Sequence, residues 1–186
     1  FNFQIIMMSH LLTAGQMTIY LLVFRFFEIV RTGLTNFAML LFPSITQKQK
    51  EGNWRGVLLY YKKSLFLVAL ITAVTMAGLF VRGYELFVYW SNIKTDTALT
   101  VYLIYCVYIA LIVVDHVSGV FLSALKFNKN TAVVSSIQSL LLLMLTYILI
   151  KEFGVFGAAL ASLIAFVSTS LWYNPWHLWR SIQSKY

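Results

Sequence analysis

Charged residues are scarce in this chain: 11% of its 186 residues, against 60% that are hydrophobic. A soluble domain carries about 25% charged residues, so the shortfall excludes an ordinary water-soluble globule. Proline occurs twice and glycine nine times, too rarely for a collagen-like or low-complexity chain. The single cysteine, Cys106, excludes an internal disulfide and a cysteine metal cluster. It lies in the apolar run 101–111 and reads as a small buried hydrophobe. No HExxH, CxxC, GxSxG or P-loop pattern occurs, so neither a metal, a cofactor nor an enzyme activity is expected. Strand-period alternation is missing too, which argues against a membrane β-barrel.

What the chain does have is length in its apolar runs. The mean hydropathy is +0.80, and the natural unit is a membrane-crossing helix of about 20 residues. Residues 1–14 form a first run that helical rise carries only about 21 Å, short of a hydrocarbon core of about 30 Å. It reads as the end of a helix begun upstream. Complete spans follow at 17–43, 64–81, 98–125, 131–150 and 155–173. The expected fold is therefore an all-α integral membrane bundle of five complete transmembrane helices plus one truncated N-terminal helix. Pro43 is expected to close the first complete span, and Arg82-Gly83 the second. Residues 84–90 form an aromatic interfacial segment, and a polar tail follows Asn174-Pro175. In the basic stretch 44–63, Trp54, Val57, Leu58 and Tyr61 share helical spacing. It reads as a short amphipathic helix lying on the membrane surface, attracted to acidic lipid.

The net charge of +8 would point to nucleic acid in a soluble protein. Here loop orientation explains it, and no nucleic-acid partner is expected. If every run crosses, residues 44–63, 126–130 and the C-terminal tail share one side, with nine basic residues; 82–97 and 151–154 share the other, with three. The positive-inside rule then puts the first side, and the C terminus, in the cytoplasm.

Charge inside the spans is the functional signal, because a charge at the bilayer centre costs between about 2.5 and 17 kcal/mol. The run 17–43 carries Thr18, Arg25, Glu28, Arg31, Thr32, Thr35 and Asn36. At 100° per residue they gather on an arc of about 100°, with Arg31 at its edge. This stripe must face protein or water. Glu28 is three residues from both Arg25 and Arg31 and can pair with either, so one positive charge is left over. The stripe reads either as an internal salt bridge fixing helix packing or as one wall of a wet cavity for an anionic head group, because guanidinium binds phosphate bidentately. Arg25, Glu28, Arg31, Thr32 and Asn36 are the candidate cavity residues. In the run 98–125, Asp115 and His116 are ion-coupling candidates, with a hydrogen-bonded structural role as the alternative; adjacent helical residues point about 100° apart, so they do not face each other. His10 and His177 carry weaker signals. Gly157, Ala161 and Ala165, with Gly154, Ala158 and Ser162 on a neighbouring line, form a small-xxx-small packing face.

A longer pattern joins these parts. Ile19-Tyr20, Arg25-Phe26 and Leu41-Phe42-Pro43 precede a basic segment running from Gln47 through Gly52-Asn53-Trp54, and Lys62-Lys63 opens the next helix. Phe153-Gly154-Val155-Phe156-Gly157-Ala158-Ala159-Leu160-Ala161 follows between the last two helices. In order and spacing this resembles the C-terminal half of O-antigen-type polysaccharide flippases. Their superfamily also holds multidrug extruders and lipid II flippases. The resemblance implies two helical lobes around a central cavity, of which this chain supplies the second, the N-terminal lobe being missing. It implies a bacterial inner-membrane transporter for oligosaccharides carried on polyprenyl pyrophosphate, working beside glycan polymerase and ligase machinery. Arg25 and Arg31 match the family's use of cationic cavity side chains. A cation-coupled drug antiporter, a lipid II flippase, a membrane-embedded acyltransferase using His116 and a non-catalytic subunit of a glycan assembly complex are the alternatives.

Overall fold

The computed structural model describes residues 2–185. The side chains of Asn2 and of residues 128–130, Lys129 among them, lie outside the described set. Every regular element in the described residues is helical, and no strand occurs among them. The order is α1 (Asn2–Leu11), α2 (Ala14–Met39), α3 (Phe42–Lys50), α4 (Trp54–Gly78), a π-helical turn (Leu79–Gly83), α5 (Tyr84–Ser91), α6 (Asp96–Ala124), α7 (Asn128–Ser168) and α8 (Ser170–Gln183). Among the described residues, three helical stretches are long and apolar enough to cross a membrane: Trp54–Ser91, Asp96–Ala124 and Thr131–Gln183. At 26 residues, α2 is long enough as well, but Arg25, Glu28 and Arg31 sit at its middle.

Local chemistry explains the boundaries. Thr13 caps α2 through a reciprocal pair: its hydroxyl accepts from the Gln16 N–H at 3.4 Å, and the Gln16 side chain accepts from the Thr13 N–H at 3.2 Å. This satisfies two donors that a helix start leaves open. Pro43 does not close a helix. α2 ends at Met39, and Pro43 stands in the first turn of α3, where a missing N–H costs nothing. Nor do residues 44–63 form one surface helix. Gly52 takes a positive φ, the Asn53 side chain caps the next helix, and Trp54, Val57, Leu58 and Tyr61 belong to the first turns of the long α4.

Arg82-Gly83 does not end that helix either. A π turn shifts the register, and helix resumes to Ser91, where Asn92 closes it in the left-handed conformation. A π turn leaves carbonyls short of donors; the Tyr102 hydroxyl supplies one, donating to the Leu79 carbonyl at 3.0 Å. At the C-terminal end the expected tail is helical, since α8 runs through Pro175 to Gln183.

α7 is two helices in one. At Gly154 the backbone takes φ 56°, ψ −134°, a conformation that only glycine adopts without strain. The chain turns back on itself there, at the tight turn expected between the last two runs. Gln4 demonstrates the fold-back: its side-chain amide donates to both Thr146 and Ser162 at 3.2 Å, and these residues lie symmetrically about Gly154. A Cβ on Gly157 would collide with the Leu149 carbonyl of the opposing arm, so the two backbones touch. Ala158, Ala161, Ser162 and Ala165 are all buried, as the small-residue face requires.

α6 is the central post. Tyr61 of α4 bonds Ser118 at 2.9 Å, while the α4 C-terminal end meets Tyr102 through the Leu79 carbonyl; the two helices are therefore antiparallel. Tyr108 packs on Phe166 and Asp115 meets Asn174, so residues 155–183 run parallel to α6. An aromatic cluster locks α2 and α5 to the same post: Phe27 lies tilted 4.9 Å from Tyr102, and Phe26 lies 5.8 Å from Phe87. Such pairs contribute about 0.5–1.5 kcal/mol each beyond area burial. Cys106 is buried, as expected of a small hydrophobe.

Candidate functional site

Arg25, Glu28 and Arg31 stand one turn apart on α2 and line one open cavity of about 340 Å³. Ile5 from α1, Phe24 of α2 and Tyr108, Ile109 and Ile112 from α6 complete its wall. The lining combines three charged side chains of α2 with mostly apolar ones, which suits a ligand with an ionic end and a bulky body.

Helical spacing offers Glu28 two partners, and it takes one. Arg31 donates to the Glu28 carboxylate at 2.7 Å, with the two side chains 40% and 30% exposed. At that exposure the pair contributes no more than about 1 kcal/mol to stability. Its larger effect is to neutralise Arg31. Arg25 is exposed and makes neither ion pair nor hydrogen bond with the described residues. Among the described residues the surplus cation is therefore Arg25. Thr35 bonds back to the Arg31 carbonyl at 2.9 Å. Thr32 and Asn36 are exposed and do not line the cavity; only the charged half of the candidate stripe assembles into it.

Asp115 and His116 part company, as adjacent helical residues must. Asp115 is buried and turns to α8, where the Asn174 side-chain amide donates to it at 2.9 Å. His116 is half-buried, and its Nε2 lacks a hydrogen-bond partner among the described residues. Neither lines the cavity. No group of three His, Cys, Asp or Glu residues suited to a metal ion occurs among the described residues.

Two sets of residues escape a sequence-only reading. Asn174 is the buried partner of Asp115, although it sits beside Pro175 where a loop is expected. Gln4, Thr146 and Ser162 form a neutral buried cluster joining α1 to both arms of α7. The available signal was their polarity within apolar runs; nothing local shows that residues 142 and 158 positions apart meet. His10 is exposed, and His177 stacks on Tyr173 with ring centroids 5.3 Å apart.

Several basic residues gather at one end. Lys62 of α4 lies over the Trp179 ring of α8 at 5.2 Å, and Tyr61 packs on Phe121 near the end of α6. Lys48 of α3 lies over Tyr60 at 5.8 Å. The α4 start and the α6 and α8 ends therefore share one pole of the bundle. The two ion pairs among the described residues, Arg31–Glu28 and Arg82–Glu85, leave the lysines of this pole without carboxylate partners.

No family model, no curated protein and no solved structure matches the chain.

Proposed function

We propose that the chain is one helical lobe of a membrane flippase that carries a polyprenyl-pyrophosphate-linked oligosaccharide across a bacterial cytoplasmic membrane. The carrying observation is Arg25: a guanidinium without a partner among the described residues, beside a neutralised Glu28–Arg31 pair, on the wall of an open cavity whose other lining is mostly apolar. Guanidinium forks match phosphate oxygens, and an unpaired one pays no partner-breaking cost on engaging them. No bond is made or broken; the lobe rocks against a second one around a midplane site.

Several features support membrane placement. Phe66 and Val74 on α4 are 72% and 67% exposed, and α7 presents Val133, Leu140 and Met144 outward. In water such surfaces are aggregation faces; in hydrocarbon they are the ordinary outside of a span. The five-crossing map counts α2, the α4 rod, α6 and the two arms of α7. The antiparallel α4–α6 pair and the parallel run of 155–183 beside α6 agree with it. The basic pole then faces the cytoplasm, with the C terminus, where acidic lipid head groups attract it. A drug-cation antiporter fits less well, since the cavity rim carries two arginines to one glutamate.

The test is glycan export in cells whose protein carries Arg25→Gln, Arg31→Gln or both. Export should fall at least about tenfold in the double variant, at unchanged protein level and with lipid-linked oligosaccharide accumulating. Normal export at normal protein level overturns the assignment.

A further inference from the structure

α8 carries a cavity of its own, which shares no lining residue with the one on α2. Its volume is about 420 Å³, and Tyr173, Trp176, His177, Arg180, Ser181 and Ser184 line it. Steps of three, one, three, one and three residues keep these side chains on one side of a helix. The side formed by Asn174, Leu178 and Ile182 is buried. Arg180 is exposed and forms no ion pair among the described residues. It lies over the Trp176 ring at 5.4 Å, a contact that needs none of its N–H donors. His177 stacks on Tyr173, and the Ser184 hydroxyl donates to the Ser181 carbonyl at 3.0 Å. A guanidinium, an imidazole and two hydroxyls thus face one space with no carboxylate in its lining. That donor set fits a phosphate.

Another cavity, of about 370 Å³, adjoins it along the same helix. It shares Tyr173 and Trp176 and adds Thr169 and Trp172, so its lining is mostly aromatic. Trp172 stands about 12 Å from Arg180 along the helix axis. Trp172 and Trp176 are 71% and 54% exposed. The order of the two cavities is informative. The cationic one lies toward the basic pole, where Lys62 covers Trp179, and the aromatic one lies farther from that pole. A phospholipid has the same order, with a charged head at the membrane surface and acyl chains directed inward. Tryptophan is enriched at that head-group level. A free phosphate ion would occupy the first cavity and make no use of the second.

We infer that the outer face of α8 binds one anionic phospholipid, its phosphate on Arg180 and an acyl chain against Trp172 and Trp176. Diffuse attraction of acidic lipid to the basic pole requires net charge alone; this site adds a stoichiometry and one decisive arginine. It rests on the membrane placement of the chain and stands independently of the transport assignment.

Native mass spectrometry of the purified chain tests the site, with phosphatidylglycerol or phosphatidylcholine added to the detergent micelles. The wild type should retain one phosphatidylglycerol saturably, about fivefold more tightly than phosphatidylcholine, the factor that one basic residue near a head group contributes. Arg180→Gln should abolish this preference. Lys185→Gln, whose residue does not line the cavity, should keep it, and excess inorganic phosphate should not displace the lipid. Equal retention of the two lipids by the wild type refutes the site, whether or not the variants fold. An undiminished preference in folded Arg180→Gln protein refutes it too. So does an equal loss in Lys185→Gln, which would mean diffuse attraction, or full displacement by inorganic phosphate, which would mean an anion site without a lipid. Lipid retention and glycan export are separate readouts, so either assignment can fail while the other stands.

Discussion

α2 and α6 each carry charge through an apolar body, and they handle it in opposite ways. α2 turns Arg25, Glu28 and Arg31 into an open cavity and pairs only two of them. α6 buries a lone carboxylate and gives it one neutral donor from a residue 59 positions away. The difference follows from desolvation. A charge that keeps access to water retains most of its solvation and can stay unpaired. A charge withdrawn from water must be met by protein groups or by an ion. The open site is therefore cheap to hold and free to bind, whereas the closed one depends on the donor that Asn174 supplies.

Substitutions in the closely packed interior should cost the most stability. Gly157→Val drives a side chain into the Leu149 carbonyl and should abolish the α7 hairpin. The expected loss exceeds about 3 kcal/mol, read as collapse of monodisperse protein on size exclusion. Gly119→Ala, which meets nothing within 4 Å, serves as its control. Next comes Asn174→Leu, which strips Asp115 of its donor at nearly constant volume. It should destabilise by about 1–3 kcal/mol, measured as a lower unfolding midpoint, and an unchanged midpoint would erase the contrast drawn above. On the open side, Arg25→Ala should change stability by less than about 0.5 kcal/mol while export falls. Smallest of all, Thr32→Val and Asn36→Ala lie outside the cavity and should leave both export and midpoint as they were.

Much of the architecture was legible locally. Apolar run lengths marked the helices, Gly154 marked the reversal, and the spacing of Arg25, Glu28 and Arg31 placed them on one face. Where local reading failed, a neighbour had intervened. Helix continues past Arg82-Gly83 because Tyr102, far along the chain, accepts the burden of a π turn by bonding Leu79. Pro43 opens a helix instead of closing one because α2 had already ended at Met39. The tail after Asn174 is helical because its inner face, Asn174, Leu178 and Ile182, is buried. The triad Gln4, Thr146 and Ser162 is invisible in order along the chain and evident in space.

By itself, the sequence determined what three- and four-residue spacing and apolar length can dictate: helices, their order, a hairpin at a glycine, and a charged stripe on one helix. Tertiary structure alone decided which arginine Glu28 takes, that Arg25 is the one left without a partner among the described residues, and that Asp115 is closed in against Asn174. The reason is range. Helical hydrogen bonds and side-chain spacing act within a turn, while burial and partner choice depend on residues brought together from more than fifty positions apart, as Asp115 and Asn174 are.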